Sequence, residues 1–295
     1  MIETIAGRRV AGFRAGACAL AIVALAGCGG GGEAGTVNDH GTSTTQRMNC
    51  ASACVESDTL SAGQMQAQFY LEDDGTRTQA EGGFFSGITI GYNVELHGDA
   101  LYFVHGTVAS QMGLPKASGG AAMADLGSPY LYDLPQRATA PLAGQFELHH
   151  AGQVYTSSTT LPAPFSIVSP TAGAVYSKAS DAIPIQLDAA RPEATWLVDA
   201  IDCRTSNNQS WVGGGAGWDP AFFTTDDGRS VQFHAATYMA RLQQLFAQAG
   251  GTGTLTSCNL TLKASVTNGG TTADGLAAGS SISGLQLRKV KISVK

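Results

Sequence analysis

Between residues 64 and 71 apolar Met65, Ala67, Phe69 and Leu71 alternate with Gln64, Gln66, Gln68 and Tyr70. A period of two is that of a half-buried strand, and Asp73-Asp74-Gly75 supplies the turn that closes it. Ile88, Ile90, Tyr92, Val94 and Leu96 then fall on one face, run into His97-Gly98-Asp99 and are followed by Leu101-Tyr102-Phe103-Val104, which predicts a hairpin. Two short strands are expected over 145–149 and 153–156, around Ala151-Gly152. Residues 116–135 show no regular period.

The second half opens after Leu161-Pro162-Ala163-Pro164, where two prolines two residues apart favour stiff, extended backbone and mark a domain boundary. Phe165 begins a short strand that ends in a Pro/Gly turn, and Ile183, Ile185 and Leu187 alternate, with Pro184 turned outward as suits an edge strand. Trp196-Leu197-Val198 and Ile201 lie in an apolar run of strand length. Cys258, Leu260, Leu262, Ala264 and Val266 share a face and lead to a turn at Asn268-Gly269-Gly270. Over 285–294 the apolar parity shifts, from Leu285 and Leu287 to Val290, Ile292 and Val294, which predicts a β-bulge. One stretch has a different period. Met239, Leu242 and Phe246, with Tyr238 and Leu245 beside them, recur at three and four, so a helix is expected over 235–249, stopped by Gly250-Gly251 and packed on the core.

Upstream of all these elements, Arg8, Arg9 and Arg14 precede an apolar run over 15–26, broken only by Gly16, that ends in Leu25-Ala26-Gly27-Cys28. The run falls short of the roughly 20 apolar residues that span a bilayer, and small residues precede the expected cut. This order of charges, apolar run, small residues and cysteine resembles the leader of bacterial lipoproteins. The resemblance implies that the leader, 1–27, is removed, that Cys28 carries a diacylglycerol on sulfur with further acylation of the new amino group, and that the protein is exported and held at the cell envelope. Because Gly29 rather than Asp follows Cys28, the outer membrane is the expected address in a double-membraned bacterium. An ordinary secretory signal cut nearby and an uncleaved anchor are the other readings. Arg8-Arg9 lacks the residues that normally surround a twin-arginine pair.

Residues 28–47 are rich in Gly, Thr and Ser without apolar period, and describe a flexible tether. An N-terminal β domain over 48–163 and a C-terminal β domain over 164–295 follow. The leader holds three of the 17 basic residues and one of the 23 acidic ones, leaving 14 against 22 and a formal charge of −8. Such a surface repels phosphate backbones and anionic head groups, so nucleic acid is excluded as a partner and membrane attachment falls to the lipid on Cys28.

Apart from Cys18 in the leader and Cys28, four cysteines remain: Cys50, Cys54, Cys203 and Cys258. An even number in an exported chain points to disulfides. Of the three possible pairings, Cys50 with Cys54 and Cys203 with Cys258 keeps each bridge inside one expected domain. A metal site is the rival, although no second close cysteine pair or nearby histidine pair supports it.

Short strands with turn signals and a cystine between two of them resemble an immunoglobulin-like or fibronectin-like sandwich over 165–295. The chain departs from antibody-type domains in having Thr256 rather than Tyr two residues before Cys258, and in placing Cys203 after the Trp196 strand. The layout as a whole also resembles uncharacterised bacterial envelope lipoproteins, which brings no activity with it. The expected fold class is therefore mainly β: two β-sandwich-like domains, the second immunoglobulin/fibronectin-like with one inserted helix.

Candidate chemistry is sparse. The sequence has no Gly-x-Ser-x-Gly elbow, no His-Glu-x-x-His, no Ser-x-x-Lys, no phosphate-binding loop and no dinucleotide fingerprint, so no cofactor is implied. His149-His150 is the only close histidine pair, and adjacent residues on a strand point to opposite faces. Asp73-Asp74-Gly75 and Asp226-Asp227-Gly228 lack the alternating oxygen ligands of a calcium loop. The stretch 211–223 carries Trp211, Trp218, Phe222 and Phe223 on dense glycine, with Asp219 and Asp226 close by. Either these aromatics fold back as a lid on the core, or Trp211, Trp218, Asp219, Phe222 and Asp226 form a contact patch for a glycan or a protein. Two functional classes follow: a non-enzymatic binding or structural lipoprotein, and an envelope hydrolase whose catalytic residues carry no sequence motif.

Overall fold

The computed structural model describes residues 54–88, 92–114, 130–180, 182–212, 220–225 and 227–295. The leader, Cys28, the tether and Cys50 lie outside them. The chain divides into two units, Met1–His40 and Gly41–Lys295, and all that follows concerns the second.

Eighteen strands and one α-helix are present among the described residues. The first nine strands are β1 Cys54–Glu56, β2 Met65–Asp73, β3 Thr78–Ser86, β4 Asn93–Glu95, β5 Ala100–His105, β6 Val108–Gln111, β7 Tyr130–Asp133, β8 Leu142–His150 and β9 Gln153–Leu161. The second nine are β10 Ile167–Ser169, β11 Val175–Tyr176, β12 Ile183–Leu187, β13 Thr195–Thr205, β14 Ser210–Trp211, β15 Phe223–Thr225, β16 Ser230–Phe233, β17 Leu255–Gly269 and β18 Ser281–Val294, with α1 Ala235–Gln248 between β16 and β17. They form a ten-stranded sheet, β1-β4-β3-β2-β18-β17-β13-β14 with β7 on β3 and β11 on β18, and two four-stranded sheets, β10-β12-β16-β15 and β6-β5-β8-β9. The chain is mainly β, and the expectation of a sandwich second half with one inserted helix holds.

Two hydrophobic clusters occupy the inner face of the large sheet, one drawn from 62–161 together with Ile282, the other from 165–294. In the first, Phe69 stacks on Phe146 at 4.8 Å and Phe103 meets Phe146 edge-on at 5.3 Å, so β5 and β8 cover β2. Each such buried ring is worth about 1.5–3 kcal/mol of apolar transfer. In the second, Tyr238 of α1 meets Phe222 at 5.1 Å and Phe233 at 5.7 Å, and its hydroxyl donates to the Val198 carbonyl. The helix ends as its glycines predict: Gly250 takes φ 82°, and the N–H groups of Gly251 and Gly250 donate to the carbonyls of Phe246 and Ala247.

The two halves share one sheet. β18, from the end of the chain, pairs parallel with β2 over Ser281–Gln286, and this pairing brings Gln286 opposite Asp73. β9 crosses close above: a methyl group on Gly284 would lie 2.4 Å from the Thr160 carbonyl, so only glycine fits there.

At Pro162–Phe165 every linker carbonyl has a donor. Gln286 Nε2 donates to Pro162 at 2.9 Å, Arg191 Nη2 to Ala163 at 3.3 Å and Pro164 at 3.0 Å, and Arg288 Nε to Phe165. Arg288 also holds Asp73, with Nη2 2.8 Å from Oδ1 and Nη1 2.9 Å from the backbone carbonyl. Arg137, Thr78 and the Gly75 N–H complete the shell of the Asp73 carboxylate at 3.0, 2.8 and 3.1 Å.

Three local expectations are corrected. β18 has no bulge: its register with β17 runs unbroken from Gly269↔Ser283 to Cys258↔Val294. The parity shift is instead a change in what each face needs, because Gln286 points inward to the Pro162 carbonyl and to Arg288, and Arg288 points inward to Asp73, while Leu285 and Leu287 stand half-exposed on the outer face. Register shifts lie instead in β13, between Ala200 and Asp202 and between Arg204 and Thr205, and the first turns Ile201 outward to 42% exposure.

The hairpin expected across His97-Gly98-Asp99 is not formed. β4 pairs with β1 and β3, β5 pairs with β6 and β8, and Ile88 is exposed, so the chain changes sheets at this corner. Ile90 lies outside the described residues.

Pairing of β8 with β9 is as expected and extends over nine residues a side, closed by Ala151 and Gly152 at φ 51° and 76°. The third correction concerns β12, expected at an edge: it lies between β10 and β16, and its exposed Pro184 is tolerated because β16 pairs there and β10 does not reach it.

Cys203 and Cys258 form a disulfide with a Cα separation of 4.0 Å. They are directly opposed on β13 and β17, so the bridge ties neighbours within one sheet rather than the two layers of the sandwich. Cys54 is also disulfide-bonded.

Candidate functional site

Within the 211–223 stretch, Trp211, Phe222 and Phe223 fold back on the second core, while Val212 is exposed. Trp211, half-buried on β14, meets Phe246 of α1 edge-on at 5.5 Å. Phe222 is 2% exposed, and Phe223 lies between Trp196 and Phe233 at 5.8 and 5.3 Å. Trp218, Asp219 and Asp226 lie outside the described residues.

The histidine pair divides as the alternation of a strand requires, His149 outward and His150 inward. His150 Nδ1 lies 2.7 Å from Asp99 Oδ2, both side chains are almost fully buried, and Ser57 Oγ donates to the same carboxylate. Ser57 Oγ in turn accepts the His97 N–H at 3.0 Å. A nucleophilic triad places the imidazole between serine and carboxylate, whereas here the carboxylate is in the middle and the serine is sealed from solvent. The trio therefore works as a clasp that holds the 3-10 turn at Ser57–Thr59, the 97–99 corner and the end of β8 together. With 42 residues between Ser57 and Asp99 and 51 between Asp99 and His150, no local pattern could have announced it.

Outside the clasp, Glu56, Asp58 and His97 place one donor atom each within 4.8 Å of one another, all exposed. His97 Nδ1 is bound to Asp58 at 2.8 Å. Exposed carboxylates gather this way without an ion, and no metal is assigned.

The outer face of the ten-stranded sheet is the most extended surface that register builds. One row across it reads Leu131, Glu81, Tyr70, Ser283, Gly269, and the next reads Asp133, Gln79, Glu72, Leu285, Thr267. Directly opposed side chains of this kind stand about 4.5–5.5 Å apart at Cβ. Tyr70, Glu72, Glu81, Leu131, Ser283 and Leu285 are all half-exposed. Gln79 is buried among them and donates to Asp133 at 2.9 Å.

Two carboxylates on this face are perturbed. Burial pushes Glu72 up from its ordinary value, Lys289 opposing, and burial pushes Glu81 up with the Glu72 charge adding to it. A carboxyl raised on folding binds its proton more tightly in the native state, so stability falls as pH climbs through the window that opens at 4.5. Glu72→Gln with Glu81→Gln is expected to flatten the fall in melting temperature above that pH, as a pair of thermal melts across pH 4–8 would show; identical slopes would mean that neither carboxyl is strained.

No protein-family model matches the chain, and no curated protein matches it. Solved structures overlay it only loosely. An I-band fragment of titin shares 8% identity over 77% of this chain at a TM-score of 0.23, and the chain spans 65% of that fragment. Titin domains in complex with telethonin share 10% over 78% of this chain and 94% of theirs, at 0.21. A SusE-like surface-located polysaccharide binding protein from the Bacteroides thetaiotaomicron heparin utilisation locus shares 12%, over 76% of this chain and 33% of its own, at 0.20. At these scores the overlays carry no argument, and the fold rests on the sheets described above.

Proposed function

We propose that this chain is a lipid-anchored protein of the bacterial cell envelope, attached through Cys28, most readily at the outer membrane, and that it acts as a non-enzymatic binding module for a protein or a glycan. The anchoring follows from the order of charges, apolar run and Leu25-Ala26-Gly27-Cys28 at the N-terminus, with 28–47 as a tether between lipid and folded part. The observation that carries the binding half is the outer face of the large sheet. Tyr70 and Leu285 offer a flat apolar contact there, flanked by Glu72 and Glu81, whose partly desolvated carboxylates gain from any hydrogen-bond donor a partner brings.

Both halves can be tested separately. Cys28→Ala is expected to move the protein from the membrane to the soluble fraction and to abolish an acyl adduct in the mass spectrum; unchanged fractionation without an adduct would remove the anchor. In the Cys28→Ala protein, which carries no lipid, Tyr70→Ser with Leu285→Ser is expected to abolish retention on cell-envelope fractions while the melting temperature stays within a few degrees. Equal retention of the variant and the parent would remove the face as the binding surface.

A further inference from the structure

At one rim of the first half the two layers are joined by a bridge between Gly113 and Leu131. Beside it, between β5 and β6 of the small sheet, β7 of the large sheet and the connection 134–142, lies a half-open cleft of about 410 Å³. That size takes a small ligand. Phe103 and Ser110, and next to them His105 and Val108, are directly opposed pairs of β5 and β6 on the inward side of their sheet, and inward positions of a sandwich are normally covered by the other layer. Val108 is nevertheless 62% exposed: the facing layer sends Tyr132 against Phe103, ring centroids 6.1 Å apart, and the cleft takes the place of a partner for Val108.

Most of the lining is apolar. Phe103, Tyr132, Leu134 and Leu142 belong to the first core or pack on it, and Pro135 and Pro141 add exposed ring surface. A ligand that covers Val108 and these side chains gains apolar transfer free energy that the folded chain by itself leaves unused. No carboxylate is among the described lining residues.

The permanent charge in the lining is Arg137, and its partner does not use it up. Its Nε donates to both oxygens of Asp73, at 3.2 and 3.0 Å, and neither Nη has a hydrogen-bond partner among the described residues. The Asp73 carboxylate is also served by the buried Arg288, by Thr78 and by the Gly75 N–H, so two guanidinium groups face one carboxylate. Asp74 and Asp133 are held by Arg77 and do not line the cleft. One cation is therefore left over beside an apolar cleft, with the planar fork that grips a carboxylate.

We infer that this cleft binds a small amphipathic monocarboxylate, its ring or alkyl body against Val108, Tyr132 and Leu142 and its carboxylate on the free fork of Arg137. The inference goes beyond the outer-face reading and shares no residue with it. The Cys28→Ala protein, which needs no detergent to compete for the cleft, would be titrated by calorimetry with 3-phenylpropionate and octanoate, with the matching alcohols 3-phenylpropanol and octan-1-ol, and with acetate, while hydrogen exchange maps protection.

At least one of the two acids is expected to bind with a negative heat-capacity change, the mark of apolar burial, and to protect 105–110 and 132–142. It should bind about tenfold or more tightly than its alcohol, as hydrogen bonds to a charged group require, and acetate, with no body to bury, should not bind. Arg137→Gln is expected to erase the preference for acid over alcohol, and Asp73 keeps Arg288, Thr78 and the Gly75 N–H in that variant. Val108→Asp changes an exposed position, so its folding is not at stake; the second negative charge at the mouth is expected to weaken the acid about tenfold. Binding of neither acid, equal affinity of acid and alcohol in the Cys28→Ala parent, an acid preference that survives in folded Arg137→Gln, or unchanged acid affinity in Val108→Asp would overturn the assignment. Protection confined to Tyr70, Glu72 and Glu81 would overturn it while leaving the outer-face reading intact.

Discussion

Arg288→Ala is expected to destabilise the folded protein by about 3–5 kcal/mol, the cost of breaking a buried ion pair by removing one partner. The guanidinium is nearly buried and makes contact with the Asp73 carboxylate and backbone, the Gln286 side chain and the Phe165 carbonyl, and it lies over the Phe165 ring at 5.3 Å. Its loss leaves a fully buried Asp73 with Arg137 as its remaining cationic partner and frees the linker at Phe165. At about 2–4 °C per kcal/mol for a chain of this size, the melting temperature should fall by roughly 10 °C. Asp73→Ala should cost a similar amount. The double replacement Asp73→Ala with Arg288→Met is the informative control, because removing both charges together relieves the desolvation that either leaves behind. A double variant as unstable as the sum of the two singles would show that the pair has no coupling, and a loss under about 1 kcal/mol for Arg288→Ala would show the same.

The second large effect is expected at Cys203 and Cys258. Closing a chain separation of 55 residues restricts the unfolded state by about 4 kcal/mol on loop-closure entropy, and replacing both cysteines by alanine should remove most of that. Substitution is the cleaner test than reduction, because Cys54 is disulfide-bonded as well and a reductant would act on it too. Both sulfurs sit at buried, directly opposed positions of β13 and β17, so alanine leaves the ladder intact and the loss should appear mainly in the denatured state. Denaturant melts that differ by less than about 1 kcal/mol between parent and variant would contradict the entropic account, and peptide mapping that joins either residue to another cysteine would contradict the bridge.

Period alone determined much of this protein. The strict alternation over 64–71, the shared face of 258–266 and the three-and-four spacing of Tyr238, Met239, Leu242 and Phe246 reappear as β2, β17 and α1, because an amphipathic segment has one way to hide its apolar side. Glycine did likewise where backbone geometry is local: Gly152 at a two-residue turn and Gly250 at a helix end act through their own φ.

Tertiary structure decided the rest, for one recurring physical reason: some side chains face inward to satisfy distant polar groups rather than to bury apolar area. β3 carries Gly82 and Gly83 and shows little strand propensity, yet Leu101 approaches Gly82 so closely that a methyl group there would lie 2.5 Å away and the Leu101 side chain would have to shift, so the glycine answers packing from another sheet. The apolar parity of β18 breaks at Gln286 and Arg288 because Arg288 serves Asp73, more than two hundred residues earlier, while Gln286 serves the Pro162 carbonyl and the Arg288 guanidinium. Ser57, Asp99 and His150 meet only once three segments have folded around one carboxylate. Local sequence sets which face of a segment is apolar, but the partner of a buried polar group is chosen by the topology that brings it there.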